Sequence, residues 1–294
     1  MRSSGELAGT IAFLILLLGS LGGAARLMQS GFAPAAAVAI AIPAGYVVIA
    51  LLERTLPYRT EWLRSHGDVA VDGAWFLTNG AAYRFIEPPL LAAAATAGGW
   101  LSANVGVGLW PSTAALGAQL AVALVVAEFF EYWAHRWMHE TTLLWRFHAI
   151  HHSAPRLYWL NAVRFHPVDY VLLGICKLVP LAILGAPVAV LALVNVFSAI
   201  HGAYKHSNIP VRLGPLNWIF SMAELHRWHH SRDVREANRN YGGNLALWDA
   251  IFGTRFLPVD REPPIDVGLA DRPSFPMRYF AQWVEPFRRG VGAD

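Results

Sequence analysis

Long stretches without charged side chains alternate with short polar segments along the first half of the chain. Residues 7–25 and 27–52 contain no charged residue, and each exceeds or approaches the roughly 20 apolar residues needed to cross a bilayer. Two further apolar stretches cover about 74–98 and 112–134, separated by a turn rich in glycine and proline. The pattern predicts an all-α protein, a membrane helical bundle with about four transmembrane helices.

Composition supports the membrane class and narrows the chemistry. Hydrophobic residues make up 55% of the chain and charged residues 15%, which departs from the average of soluble proteins. The single cysteine, Cys176, excludes an intrachain disulfide and any cysteine-based zinc or iron–sulfur site. The net charge is +3, and the basic residues are scattered through segments that flank the apolar stretches. This distribution indicates a membrane surface rather than a nucleic acid as partner.

Histidines are concentrated in the second half of the chain, where eleven of the twelve lie between positions 135 and 230. Residues three and four apart share one face of a helix, and imidazole is the commonest metal ligand. Buried polar groups are costly unless they are satisfied, so repeated clusters in an apolar chain indicate a metal site. The clusters are H-x-x-x-H at His135 and His139, H-x-x-H-H at His148, His151 and His152, and H-x-x-H-H at His226, His229 and His230.

The number of histidines predicts two metal ions. His201 and His206 raise the count of candidate ligands to ten, which exceeds the usual limit of about six for one ion. Two ions with four or five nitrogen ligands each would use them. A structural zinc site closes with four ligands, so this count favours an open pair of ions able to undergo redox chemistry.

The segment between the second and third clusters decides whether all of them can meet. Residues 170–200 are apolar apart from Lys177 and are interrupted by Pro180, Gly185 and Pro187. A single span would place the third cluster on the opposite membrane face from the first two. We therefore predict a re-entrant pair or short hairpin of helices that returns to the side from which it came.

The order of the clusters and their flanking residues resemble the membrane fatty acid hydroxylase / sterol desaturase superfamily. The resemblance covers about residues 128–258, and it implies a non-haem di-iron oxygenase that uses O₂ and external electrons to hydroxylate a C–H bond of a lipid, an acyl chain or a sterol-like molecule. The flanking motifs are 132–136 (YWAHR), 162–167 (AVRFHP), 206–208 (HSN), 228–231 (WHHS), 240–244 (NYGGN) and 248–254 (WDAIFGT).

The resemblance implies two iron ions held by histidines alone or nearly so. The eight cluster histidines are the expected ligands, and His201 and His206 are candidates for ligands or for partners of the ligands. Supporting roles around the ligands are predicted for Glu128, Glu131, His166, Asn208 and Asp249.

The chain offers no nucleotide-binding G-x-G-x-x-G motif and no cysteine cluster for an iron–sulfur centre. A separate reductase, ferredoxin or cytochrome is therefore expected to supply electrons. The basic residues Arg227, Arg232, Arg235 and Arg239 are a candidate docking patch for an acidic donor, and a rim facing lipid headgroups is the alternative.

Three other functions stay open at this stage. A desaturase or an oxidative demethylase of a sterol or isoprenoid lipid would use the same clusters. A bis-histidine haem cytochrome would need only one or two axial ligands, not contiguous clusters. A zinc or copper transporter would need ionisable residues at the centres of its spans, which are nearly free of them.

Charge asymmetry predicts the orientation of the chain in the membrane. Arg54, Arg59 and Arg64 mark the loop after the second span as cytoplasmic, so both termini and the histidine site are expected on that side, in a bacterial inner membrane. We expect a transmembrane region at 1–134, a catalytic region at 135–258 and a cytosolic tail at 259–294.

Overall fold

The computed structural model describes residues 3–106, 108–270 and 272–288, and its ordered elements are helices joined by loops and short 3-10 turns. No β-strand occurs within these ranges apart from two isolated bridges, which confirms the all-α prediction. The α-helices are α1 (Ser4–Gln29), α2 (Pro34–Thr55), α3 (Val69–Val105), α4 (Leu116–Glu140), α5 (Thr142–His152), α6 (Pro167–Ile183), α7 (Val188–His206), α8 (Ala223–His229), α9 (Val234–Ala237), α10 (Leu247–Phe252) and α11 (Tyr279–Val284).

Four helices in the described part of the chain are long and apolar enough to cross a membrane, namely α1, α2, α4 and α7. Together with the composition they identify a membrane protein. The third stretch, expected at 74–98, does form a helix, but α3 is not one of these four. It carries Asp72, Arg84 and Glu87 along its length, and these charges lower its hydropathy. The fourth helix of this set is instead α7, which lies in the segment predicted to form the hairpin.

The long helices pack as two groups with a cleft between them. One group contains α1, α2 and α7, and the other contains α3, α4 and α6. Glycine permits the closest approach in each group. A Cβ atom on Gly45 of α2 would lie 2.2 Å from Cδ1 of Ile200 on α7, and one on Gly98 of α3 would lie 2.2 Å from the carbonyl oxygen of Ile183 on α6. A cavity lies in the cleft between the two groups.

The predicted hairpin is confirmed by the contacts at its two ends. Near the start of α6, Asp169 accepts a hydrogen bond from Nδ1 of His148 at 2.9 Å. The turn after α6 contains Gly185 with φ of +84°, a left-handed conformation that favours glycine. At the end of α7, His206 lies 2.7 Å from His226, measured between their Nε2 atoms. The chain therefore leaves the histidine-rich end of the bundle and returns to it.

The C-terminal segment folds back over the same end of the bundle. Gln282 of α11 accepts a hydrogen bond from the indole of the buried Trp75 at 2.9 Å, and the ring of Trp283 lies 4.9 Å from that of His166. The predicted boundaries at 134 and 258 remain predictions. The extreme ends of the first and last predicted regions, 1–2 and 289–294, lie outside the described residues.

Candidate metal centre

Nine of the ten candidate histidines meet in two buried groups. The members of each group offer nitrogen atoms that all lie within 4.8 Å of one another. All nine are at most 9% exposed, so water does not solvate their rings. The first group contains five histidines and the second four, the numbers that two ions would need. They are His135, His139, His148, His152 and His229 in the first group and His151, His206, His226 and His230 in the second.

Helical periodicity explains how each H-x-x-H-H cluster serves both groups. Residues four apart lie on one face of a helix, and the residue beside them points elsewhere. His148 and His152 therefore enter the first group, while His151 enters the second. In the third cluster the assignment is reversed, because His226 and its partner four residues later enter the second group and His229 enters the first. Adjacent histidines thus belong to different groups.

Five of the rings are oriented by an oxygen atom on the Nδ1 side. The acceptors lie 2.6 to 3.1 Å from Nδ1 and include both side chains and backbone carbonyls. An oxygen acceptor places the proton on Nδ1 and leaves the Nε2 lone pair free for a metal. The pairs are His135 with the Tyr241 carbonyl, His139 with Asn238, His148 with Asp169, His206 with Asn161 and His229 with the Arg239 carbonyl.

The Nε2 atoms then face one another at distances that a metal ion would explain. Nε2 of His135 lies 3.0 Å from that of His148 and 3.1 Å from that of His229. Because the Nδ1 atoms of all three carry the protons, these contacts bring lone pairs together and are repulsive without a cation. Ligand nitrogens about 2.1 Å from one ion and 90° apart would be about 3.0 Å from each other. The donor set therefore fits a metal ion.

In the second group, too, Nε2 atoms lie close together, although only His206 has an oxygen acceptor on Nδ1. Nε2 of His226 lies 2.7 Å from that of His206 and 3.0 Å from that of His230. Burial lowers the pKa of His226 and His230 well below the usual 6.5, and the neighbouring histidines add to the effect. Burial likewise lowers the pKa of His151, His152 and His229. These imidazoles are neutral at physiological pH, which is the form that binds a metal.

His201 lies apart from both groups. Its ring stacks on Phe197 and meets Phe13 edge-on, each at 5.5 Å between ring centroids, inside the α1–α7 packing. His166 is also outside the groups. It caps the N-terminus of α6 by accepting a hydrogen bond from the backbone N–H of Val168 at 3.2 Å. His201 and His166 are close in sequence to the histidine clusters, but their rings do not join either group.

The predicted supporting carboxylates hold the NYGGN loop against the centre. Glu128 accepts hydrogen bonds from the backbone N–H groups of Asn244 and Leu245 at 2.6 and 3.1 Å. Asp249 accepts from the backbone N–H of Tyr241 at 2.7 Å, and the carbonyl of the same residue orients His135. Asp249 therefore acts on His135 through the backbone of this loop, and Glu128 holds the end of the same loop against α4.

The remaining predicted supporting residues, Glu131 and Asn208, pair with groups other than the imidazoles. Glu131 pairs with Lys177 of α6 at 2.9 Å, which connects α4 to the hairpin. Asn208 accepts from the backbone N–H of Arg59 at 2.9 Å and donates to its carbonyl at 2.8 Å. Asn208 thus fixes the loop after α2 rather than a histidine ring.

Sequence reasoning missed three residues whose side chains hydrogen-bond to the imidazoles: Asp169, Asn161 and Asn238. Only Asp169 carried a recognisable signal, because an acidic residue at the start of an apolar segment is a candidate functional residue. The predicted basic patch also needs correction. Arg227 is 2% exposed and donates to the carbonyl of Ile209 at 2.7 Å, so it is unavailable to a partner.

A cavity of about 340 Å³ extends from the two groups into the cleft between the helices. Apolar atoms make up most of its wall, which is formed mainly by α2, α3, α6 and α7 and also includes the charged side chains of Glu131, Lys177 and Lys205. Its polar end is lined by histidines of both groups, namely His135, His148, His151, His206 and His226. Cavities of this kind are typical of small-molecule binding sites.

Comparisons with known proteins agree with this geometry. The family model for fatty acid hydroxylase matches residues 120–254. Ornithine lipid hydroxylase OlsE of Rhizobium tropici is 39% identical over 248 residues, which cover 82% of this chain and 73% of that protein. The chain therefore belongs to the fatty acid hydroxylase family, which confirms the resemblance. It is an oxidoreductase, as its hydroxylase and monooxygenase relatives indicate.

Two further relatives match about half of the chain. Alkylglycerol monooxygenase of Xenopus tropicalis is 32% identical over 138 residues, 45% of this chain and 29% of that protein. Methylsterol monooxygenase 2-2 of Arabidopsis thaliana is 27% identical over 146 residues, 49% of this chain and 54% of that protein. No solved structure gives a significant match.

Proposed function

We propose that the protein is a membrane di-iron monooxygenase that hydroxylates a C–H bond of a lipid. The observation that carries the proposal is the pair of buried imidazole groups whose Nε2 atoms face one another beside an apolar cavity. The balanced reaction is R–H + O₂ + 2e⁻ + 2H⁺ → R–OH + H₂O. The relatives named as lipid hydroxylase and sterol monooxygenase support a lipid as the substrate.

Two iron ions, when bound, would supply the O₂ activation that no side chain can perform. The five histidines of the first group and the four of the second would hold one ion each. His201 and His166 have no place in either set. The oxygen acceptors on the Nδ1 atoms keep the rings oriented, because ligands that rotate freely bind a metal more weakly.

The cavity would position the substrate and keep water away from the reacting carbon. Side chains of α2, α3, α6 and α7 would hold the apolar body, which arrives laterally from the bilayer through the cleft. Gly80 of α3 lines the cavity and is exposed. The carbon to be oxidised would then lie at the histidine-lined end.

We expect a separate protein on the side of the membrane where the centre lies to supply the electrons. Arg232, Arg235 and Arg239 are exposed close to the third histidine cluster and are suited to an acidic donor. The arginines between α2 and α3 support a cytoplasmic location by the positive-inside rule. A reporter fused after Asp294 is expected to be cytoplasmic, and a periplasmic or lumenal reporter would contradict this orientation.

The function is tested by metal analysis together with oxygen-isotope labelling. Protein purified in detergent is expected to contain about two irons per chain and to show no Soret band. Lipids from cells that express the protein under ¹⁸O₂ are expected to gain one labelled oxygen atom. The variant His229→Ala should lose metal and product, whereas His66→Ala, which changes an exposed histidine outside both groups, should retain them.

The possible outcomes separate the parts of the proposal. Zinc in place of iron would leave the ligand set standing, since metals exchange during expression, and would require reconstitution with iron before the labelling experiment. Product containing oxygen from water instead of O₂ would refute the oxygenase. Absence of any bound metal from carefully handled protein would refute the centre itself.

A further inference from the structure

Three glycines face the cavity from three different helices: Gly80 of α3, Gly174 of α6 and Gly202 of α7. A Cβ atom at any of them would meet no described atom within 4 Å. Gly45 and Gly98 differ, because a Cβ there would lie 2.2 Å from the side chain of Ile200 or the backbone of Ile183. The three cavity glycines are therefore not required for helix packing.

These three glycines differ from Gly99, whose Cβ position is also open, because they line the cavity. Glycine has a cost at such positions. It weakens a helix interior relative to alanine, because the unfolded backbone loses more conformational freedom. Protein interiors are otherwise filled to high density, and alanine would fit sterically at all three positions. What the glycines preserve is free volume, and the volume lies in the cavity that the metal-centre histidines line.

The three glycines lie at different positions along the wall of the cavity. Gly80 is exposed and lines the cavity from α3. Gly174 lies five residues beyond Asp169, which at 1.5 Å per residue is about 8 Å along α6. Gly202 precedes His206 by four residues and therefore lies one helical turn from the second imidazole group.

We propose that Gly80, Gly174 and Gly202 determine substrate specificity by giving the cavity the width for an apolar body broader than one straight alkyl chain. This inference rests on the proposed lipid-oxidising function and deepens it. Gly80 sets the width on the α3 side of the cavity, and Gly174 sets the width on the α6 side. Gly202 sets the room beside the imidazoles, and so influences which carbon is presented.

The test narrows the cavity one methyl group at a time. Each glycine is changed to alanine and, in a second series, to leucine. The matched control is Gly99, which lies on α3, is exposed, has no described atom within 4 Å of its Cβ position and does not line the cavity. The probes are a straight-chain fatty alcohol and a methyl-branched alcohol of the same chain length, and binding is measured by the shift of the unfolding temperature of detergent-purified protein.

The alanine variants are expected to unfold at the wild-type temperature or above it, because alanine favours the helix. They should bind the straight-chain alcohol within about twofold of wild type and the branched alcohol about tenfold more weakly, the scale on which one methyl group discriminates in an apolar pocket. The leucine variants should bind neither alcohol. Gly99→Ala and Gly99→Leu should bind both alcohols as wild type does.

Other results would overturn the inference. Alanine variants that lose stability, or that lose both alcohols equally, would identify the glycines as packing residues. Leucine variants that bind both alcohols normally, or a wild-type protein that binds neither, would show that the cavity does not hold an apolar body. Because binding needs no turnover, a wild-type protein that binds both alcohols but forms no labelled lipid would contradict only the proposed function.

Discussion

Replacement of Asp169 by alanine tests whether the oxygen acceptors on the Nδ1 atoms matter for metal binding. The carboxylate is 2% exposed and accepts from Nδ1 of His148 at 2.9 Å. A buried hydrogen bond to a charged group contributes about 1.5 to 3 kcal/mol. At 1.4 kcal/mol per factor of ten, its loss corresponds to a roughly 10- to 100-fold weaker metal affinity, the range typical of residues that orient metal ligands.

The affinity is measured by competition between the purified protein and a chelator of known strength. Asp169→Asn keeps an oxygen acceptor but no charge, so its affinity should fall between those of the wild type and Asp169→Ala. Asp260→Asn, at an exposed carboxylate, should leave the affinity unchanged. The unfolding temperature of each variant checks that the fold persists, because Asp169 also lies in the first turn of α6.

Wild-type metal affinity in a folded Asp169→Ala variant would refute the reasoning. His148 would then bind its ion without orientation from α6, and the hairpin would serve only to enclose the cavity. An affinity that fell equally in Asp260→Asn would point to a general electrostatic effect instead. Only a loss specific to Asp169, with an intermediate value for asparagine, agrees with the geometry.

Three further predictions concern the scaffold and the metal. Arg164→Met should destabilise the protein by about 3–5 kcal/mol, because it leaves Asp72, now 2.6 Å from the guanidinium, as an unpaired buried charge; chemical denaturation of the purified protein measures this. Gly98→Ala should cost about 1–3 kcal/mol by forcing α3 away from the carbonyl of Ile183, and the same assay applies. Removal of bound metal by a chelator should lower the unfolding temperature, because the facing imidazoles then repel one another.

Each of these predictions has a control within the chain. Changing Asp72 to leucine together with Arg164→Met should restore much of the lost stability, and failure to do so would show that the arginine matters through its other contacts. Gly99→Ala is the control for Gly98→Ala, and equal effects at both positions would exclude a local clash. A chelator that leaves the unfolding temperature unchanged would contradict the repulsion argument.

The predictable part of the site follows from local periodicity. The spacing of the histidines along α4, α5 and α8 already placed residues four apart on one face. The hairpin was predicted from chemistry rather than hydropathy, because the third cluster could otherwise not reach the first two. Its confirmation shows that the need to gather ligands can outweigh the simple expectation of a single span.

His201 and Arg227 lie elsewhere than the sequence predicted. In both cases the reason is which face of the helix carries the residue. His201 and His206 are five apart on α7 and therefore lie on different faces, so that only His206 reaches the centre while His201 packs among aromatic rings. Arg227 follows a ligand directly and was expected at the surface, yet helix α8 turns it inwards beneath Tyr58. Composition does not reveal which face of a short helix is buried.

The sequence alone determined what depends on neighbouring residues and on total composition: the helical class, the membrane location and the division of the histidines into clusters with ligand spacing. Tertiary structure decided what depends on segments far apart in the chain. It joined one histidine of each adjacent pair to each group, brought Asp169, Asn161 and Asn238 to the Nδ1 atoms, and opened a glycine-lined cavity between two helix groups. Those contacts arise only when α6 and α7 return to α4 and α5, because hydrogen bonds and cavities depend on positions in space that local propensity does not specify.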